Sequence, residues 1–160
     1  MNRTIRQITA GEIPQAMDLV WRVFAVFEAP EYSAEGVVEF RQFIQKDAVL
    51  TKMQSGRMIL WGCFVHSNIV GVLAVAVTGH IHLLFVDSAY HRQGIAKALY
   101  QTMLDYFRMH GISSITVNSS PYAVEVYRRL GFVSTNTEQT VNGIRFTPMQ
   151  LQLAQIPIDA

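Results

Sequence analysis

The stretch Val86-Asp87-Ser88-Ala89-Tyr90-His91-Arg92-Gln93-Gly94-Ile95-Ala96-Lys97 carries the clearest chemistry in the sequence. It reads as the end of a strand, a polar turn, and a helix that opens with Gly94 and Ala96. The first N–H groups of a helix have no partner within it, and the macrodipole adds partial positive charge there. Small residues let a phosphate approach that backbone closely, and Arg92 and Lys97 add side-chain charge. Taken by itself, Gly-x-Ala at a helix start is also common in ordinary strand–helix turns. A nucleotide-binding enzyme built on the same helix start is the weaker reading, because neither a Walker lysine pattern nor a full GxGxxG is present.

Other reactive side chains narrow the field. The five histidines stand at 66, 80, 82, 91 and 110, without HExxH or a Cys/His cluster of zinc-site spacing. His80 and His82 share one strand face, but two ligands do not close a site, so no metal is expected. The single cysteine, Cys63, excludes an internal disulfide framework and sits in an apolar run, as a buried, inert thiol does. Trp21, Trp61 and Phe24 read as core. Lys plus Arg number 13 against 12 Asp plus Glu, which gives no electrostatic case for nucleic acid. No segment is long and apolar enough to span a bilayer, and the first residues are too polar for a signal core. The expectation is a soluble, cytoplasmic protein.

The elements that must position these residues follow from hydrophobic period. The 160 residues, half of them hydrophobic, suit one domain over 1–160 with a single well-buried core. Thr4 to Thr9 reads as a first strand. Ile13, Met17, Val20, Phe24 and Phe27 fall at helical spacing, with Pro14 acceptable only near the helix start. Ser33 caps a second helix carrying Val37, Phe40 and Ile44 on one face. Met58–Val65 and Ile69–Val77 are continuous apolar runs about a short polar turn, which predicts an antiparallel pair covered by helices on both faces. His80–Val86 is a fourth strand. A helix over about 93–110 has the stripe Ile95, Leu99, Met103 and Phe107, and Gly111 stops it. Ile115–Asn118 is a fifth strand, parallel to the fourth because a helix crosses between them. Pro121 opens a helix to Leu130. Phe132–Ser134 and Arg145–Leu153 are the last strands, joined by a polar loop. Such a chain is an α/β protein with a mixed sheet of about seven strands flanked by about four helices. Met149–Leu153 suits either a monomer core or pairing across a homodimer.

Two motifs together make a more specific pattern. His91-Arg92-Gln93-Gly94-Ile95-Ala96 resembles the pyrophosphate-binding motif of the GNAT N-acetyltransferase family, Gln/Arg-x-x-Gly-x-Gly/Ala, departing from it at His91. Tyr122-Ala123-Val124-Glu125-Val126-Tyr127-Arg128-Arg129-Leu130-Gly131-Phe132 resembles the family's second signature, a helix with a Tyr that closes on Leu-Gly-Phe. The predicted element order agrees with that fold, so the resemblance covers essentially the whole chain.

The resemblance implies transfer of acetyl from acetyl-CoA, the acyl-donor substrate, directly to a primary amine. It implies a sheet splayed between strands 4 and 5, with pantetheine along Leu84, Phe85 and Val86 and an N–H there holding the thioester oxygen. Pyrophosphate would lie on the N–H groups of Gln93, Gly94, Ile95, Ala96 and Lys97, beside His91 and Arg92, and Asn118 would bond the pantetheine amide. Tyr127 matches the family's general acid. His80 or His82 falls where members often place a base, and an imidazole accepts protons near neutral pH. Phe27, Glu28 and Tyr32 fall on the acceptor side, where Glu28 favours a cationic amine. A non-catalytic acyl-CoA-binding or regulatory module with the same fold is the alternative.

Overall fold

Apolar side chains at the 3.6-residue period build α1 (Ile13–Phe27), and they bury Ile13, Met17, Val20 and Phe24 against the sheet. Pro14 occupies the first turn, where its missing N–H leaves no bond unmade. The computed structural model describes residues 2–153. The single-domain reading over 1–160 also takes in residue 1 and residues 154–160, which lie outside the described residues. As predicted, α2 (Ala34–Phe43) opens at Ser33, whose Oγ accepts the Gly36 N–H at 3.2 Å.

A further helix, α3 (Lys46–Gln54), has no counterpart in the sequence reading. It is mostly polar and buries only Val49, so it shows no apolar stripe from which to predict it. Helices α1 and α3 cover one face of the sheet, and α4 (Ile95–Met109) and α5 (Val124–Arg129) the other.

The first four strands form an antiparallel meander: β1 (Arg3–Gln7), β2 (Met58–Val65), β3 (Asn68–Ala76) and β4 (His80–Val86). Between β2 and β3, His66 and Ser67 both take positive φ, the turn that matches the twist of a two-residue hairpin. β2 and β3 are buried nearly throughout, as unbroken apolar strands in mid-sheet must be. The remaining strands are β5 (Ser114–Ser119), β6 (Val133–Ser134), β7 (Gln139–Val141) and β8 (Ile144–Gln152), in the order β1-β2-β3-β4-β5-β8-β6 with β7 on β8. The described residues thus form eight strands and five α-helices, against about seven and four expected. The extra strand, β7, is three residues long, too short for alternation to reveal. It reaches β8 through Asn142 and Gly143, both at positive φ.

Two details of the sheet set up the site. β4 and β5 pair only at His80 with Thr116 and at Ile81 with Val117, after which the strands part. The β3–β4 register also slips, with Val75 opposite Ile81 but Ala74 opposite Leu83, so that His82 is the bulged residue. Ile81 consequently packs on the α4 side and Leu83 on the α1 side. Further along, Met149 of β8 faces Val117 of β5 on one edge and Ser134 of β6 on the other. The strand considered for pairing across a dimer therefore has both edges taken at that point.

Candidate active site

Where β4 leaves β5, two cavities open and meet. One, of about 610 Å³, lies beside α2 and α3 and is walled by Tyr32, Phe40, Phe43, Lys52, His80 and His82. The other, of about 650 Å³, runs from Phe27 to the start of α4 and is bounded by His91, Arg92, Gly94, Ile95, Ala96 and Lys97. Glu28, Leu84, Phe85, Ala123 and Tyr127 line both.

The turn into α4 is shaped for close approach. Arg92 and Gly94 hold φ of 64° and 77°, and the left-handed Gly94 is the residue from which the helix starts. The helix begins at Ile95, two residues later than predicted. Gln93 precedes it and lines neither cavity, and its carbonyl accepts a 2.8 Å bond from the Arg3 guanidinium of β1. The N–H groups of the helix's first turn, at Ile95, Ala96 and Lys97, border the second cavity without intrahelical partners. His91 has a role of its own: its Nε2–H donates to the Val86 carbonyl at 2.7 Å, tying the turn to the end of β4.

Because the Asp87 N–H donates across to Val70, alternation along β4 turns the N–H groups of Leu84 and Val86 to the open edge. No strand covers that edge beyond Ile81. Tyr127 reaches the junction from α5, 5 % exposed, with its ring edge-on to Phe132. Burial, and secondarily the charge of Glu28, push its phenol well above the ordinary tyrosine value.

Glu28 ends α1 and stands at the same junction. Loss of solvent pushes its carboxyl up to about 7; the neighbouring Ser120 hydroxyl opposes the shift and the Glu31 charge adds to it. The two strand histidines lie further into the first cavity, rings 5.2 Å apart and edge to face. His80 Nδ1 is 2.7 Å from the Thr116 hydroxyl, and burial lowers its pKa. His82 stands edge-on to Phe43 and is pushed down to about 4 by burial, with His80 and Lys52 adding to the effect.

The structure separates some residues that the sequence reading grouped. Tyr32 lies in the first cavity, but Phe27 lies in the second, its ring 5.3 Å from His91 and 5.4 Å from Tyr122. Asn118, expected beside pantetheine, lines the first cavity and not the second. Cys63 is fully buried, and burial raises its thiol pKa, which keeps it protonated. Ser120, Lys52 and Tyr122 were missed. Ser120-Pro121 does carry a cap signal, and the Ser120 Oγ accepts the Ala123 N–H at 3.3 Å. Nothing in the spacing of Lys52 marks it as a wall of a cavity. Among the described residues no three His, Cys, Asp or Glu side chains converge on a metal position, and no helix is long and apolar enough to cross a membrane.

Comparison with known proteins agrees with this geometry. An uncharacterized N-acetyltransferase of Escherichia coli (strain K12), YafP, is 24 % identical over 138 residues, 86 % of each chain. The PaiA N-acetyltransferase of Thermoplasma acidophilum, solved in complex with coenzyme A, superposes with a TM-score of 0.79 over 96 % of this chain and 100 % of its own, at 17 % identity. A GCN5-related N-acetyltransferase from Rhodopseudomonas palustris does so at 0.81, over 96 % and 97 % of the two chains, at 18 % identity. Residues 28–153 match the model of the acetyltransferase (GNAT) domain, and with more than half of the sequence inside that match the chain belongs to the GNAT acetyltransferase family.

Proposed function

We propose that the protein is an acetyl-CoA-dependent N-acetyltransferase that passes the acetyl group directly to a primary amine. The observation that carries this reading is the meeting of the two cavities at Tyr127, Glu28 and the open edge of β4. A donor threaded along the second cavity and an amine entering by the first would meet there, with no covalent enzyme intermediate needed.

On this reading, the pyrophosphate rests on the N–H groups at the start of α4, with Arg92 and Lys97 supplying charge. The pantetheine arm follows the uncovered edge of β4. The N–H of Leu84 or Val86 is placed to hold the thioester oxygen as it becomes an oxyanion. When the C–S bond breaks, the Tyr127 hydroxyl protonates the departing thiolate. Burial raises the phenol's pKa, and the same dry junction disfavours a free thiolate, which offsets that shift.

The test is coenzyme A release from acetyl-CoA with spermidine, single amino acids, an aminoglycoside, a peptide with a free N-terminus and Nα-acetyl-lysine. Amine-dependent release is expected with at least one. Tyr127→Phe should then lower kcat about 10²-fold or more while acetyl-CoA affinity stays unchanged. A protein that binds acetyl-CoA yet releases coenzyme A with none of these amines is a non-catalytic acyl-CoA-binding module.

A further inference from the structure

We propose that Glu28, at the end of α1, is the general base that deprotonates the acceptor amine, in place of either histidine on β4. The assignment rests on the acetyl-transfer reading above and names the group that completes it.

Position decides between the candidates. A base must reach the nitrogen at the moment it faces the thioester carbon, so it belongs where the two cavities join. Of the five residues shared by both cavities, Glu28 and Tyr127 alone titrate. His80 and His82 line the first cavity only, and His80 is engaged with Thr116. The surroundings of Glu28 can be named element by element. Tyr127 faces it from α5 and Ser120 from the turn after β5; β4 presents Leu84 and Phe85 to both cavities and His80 and His82 to the first. Glu31 and Tyr32 follow on its own turn; Arg92, Lys97, Arg129 and His91 border the second cavity, and Lys52 and Glu39 border the first. Glu28 takes part in none of the ion pairs formed among the described residues. A carboxyl held to about 7 in this way is divided between acid and base at neutral pH, whereas His82, at about 4, is a much weaker acceptor.

The protons balance. The ammonium form of the acceptor gives one proton to the Glu28 carboxylate, and the neutral amine attacks the carbonyl carbon, forming the C–N bond. As the intermediate collapses, the C–S bond breaks and the thiolate takes the Tyr127 proton. The nitrogen's surplus proton returns to the Tyr127 phenolate. Glu28 then releases its proton to water, so each turnover yields the amide, coenzyme A and one proton.

The experiment measures kcat/KM against pH for the full chain, with the fastest acceptor found among the amines named above. Wild type should show a rising limb centred near pH 7. Glu28→Gln should lose that limb, lose about 10²-fold in kcat at pH 7, and keep its acetyl-CoA affinity. The His80→Asn, His82→Asn double variant should keep the limb. Survival of the limb in Glu28→Gln, or its loss in the histidine variant alone, overturns the assignment and leaves acetyl transfer standing. Should glutamine disturb the helix end, Glu28→Ala with added formate replaces it: restored rate supports the assignment, and no restoration overturns it. No release from any amine in wild type removes the acetyl-transfer reading, and the base with it.

Discussion

Two carboxylates of this chain respond to their surroundings in opposite directions, and that difference can be read in stability. Glu12 donates nothing but accepts twice from Arg6, at 2.7 and 2.9 Å, and once from the Thr9 N–H, which holds its carboxyl down at about 2. Glu28 loses solvent without gaining a cation and rises to about 7 from 4.5. The signs follow from linkage. For Glu12 the native state binds the proton less well than the unfolded chain, so stability is present above about pH 4.5 and is lost as pH falls toward 2. For Glu28 the native state holds its proton longer, so stability falls as pH rises from 4.5 through 7. Glu28→Gln removes that loss. In thermal melts across pH it should match wild type near pH 4 and exceed it above pH 7, by up to about 3 kcal/mol at 1.36 kcal/mol per pKa unit. Equal melting curves for the two proteins from pH 4 to 8 would show that the carboxyl is solvated after all. None of this was visible in the sequence. There, Glu28 reads as an acceptor-side carboxylate that favours a cationic amine, at a helix end where a solvated one is equally at home.

Elements differ in how openly the sequence declares them. α1 and α4 carry apolar stripes of four or more buried residues, and β2 and β3 are unbroken apolar runs, so period and composition were enough. The turn at Gly94 was legible because the chemistry there belongs to the backbone. What stayed hidden depends on long-range placement. The bulge at His82 exists only relative to β3, and the turn of the Phe27 ring toward His91 exists only relative to the start of α4. The same is true of the contact between α2 and the β7–β8 turn. There the Ser33 N–H donates to the Gly143 carbonyl at 3.2 Å, and a Cβ on Gly36 would overlap that carbonyl. Both neighbours are backbone and cannot move aside cheaply. Gly36→Ala should therefore cost on the order of 1–3 kcal/mol and lower the melting temperature by several degrees. An unchanged melting temperature would mean that α2 and the hairpin are free to slide apart. Ile144, next to that turn, lines the first cavity, so the same variant should also weaken acceptor binding more than acetyl-CoA binding.

At the scale of the whole molecule the sheet has a thin seam in its interior. β2 and β3 share eight residue pairs and β5 and β8 six, but β4 and β5 share two. Amide hydrogen exchange should find the backbone of Leu84 to Val86 and of Val117 to Ser119 opening more readily than β2 and β3. Saturating acetyl-CoA should slow exchange on the β4 side, where an added chain would supply the missing hydrogen bonds. Exchange there that ignores acetyl-CoA would place the donor elsewhere. The seam also divides the chain in order of sequence. Glu28, the β4 edge and the turn at Gly94 all precede it, whereas Tyr127 follows, on the far bank beyond the exposed turn at Gly111. The two groups proposed to move protons are thus carried by different halves, and the two residue pairs of β4 and β5, the packing of α4 and the contact of α2 with the β7–β8 turn fix the span between them. Such an arrangement works like a pair of tongs: the ligand that grips both arms also sets the distance at which they act.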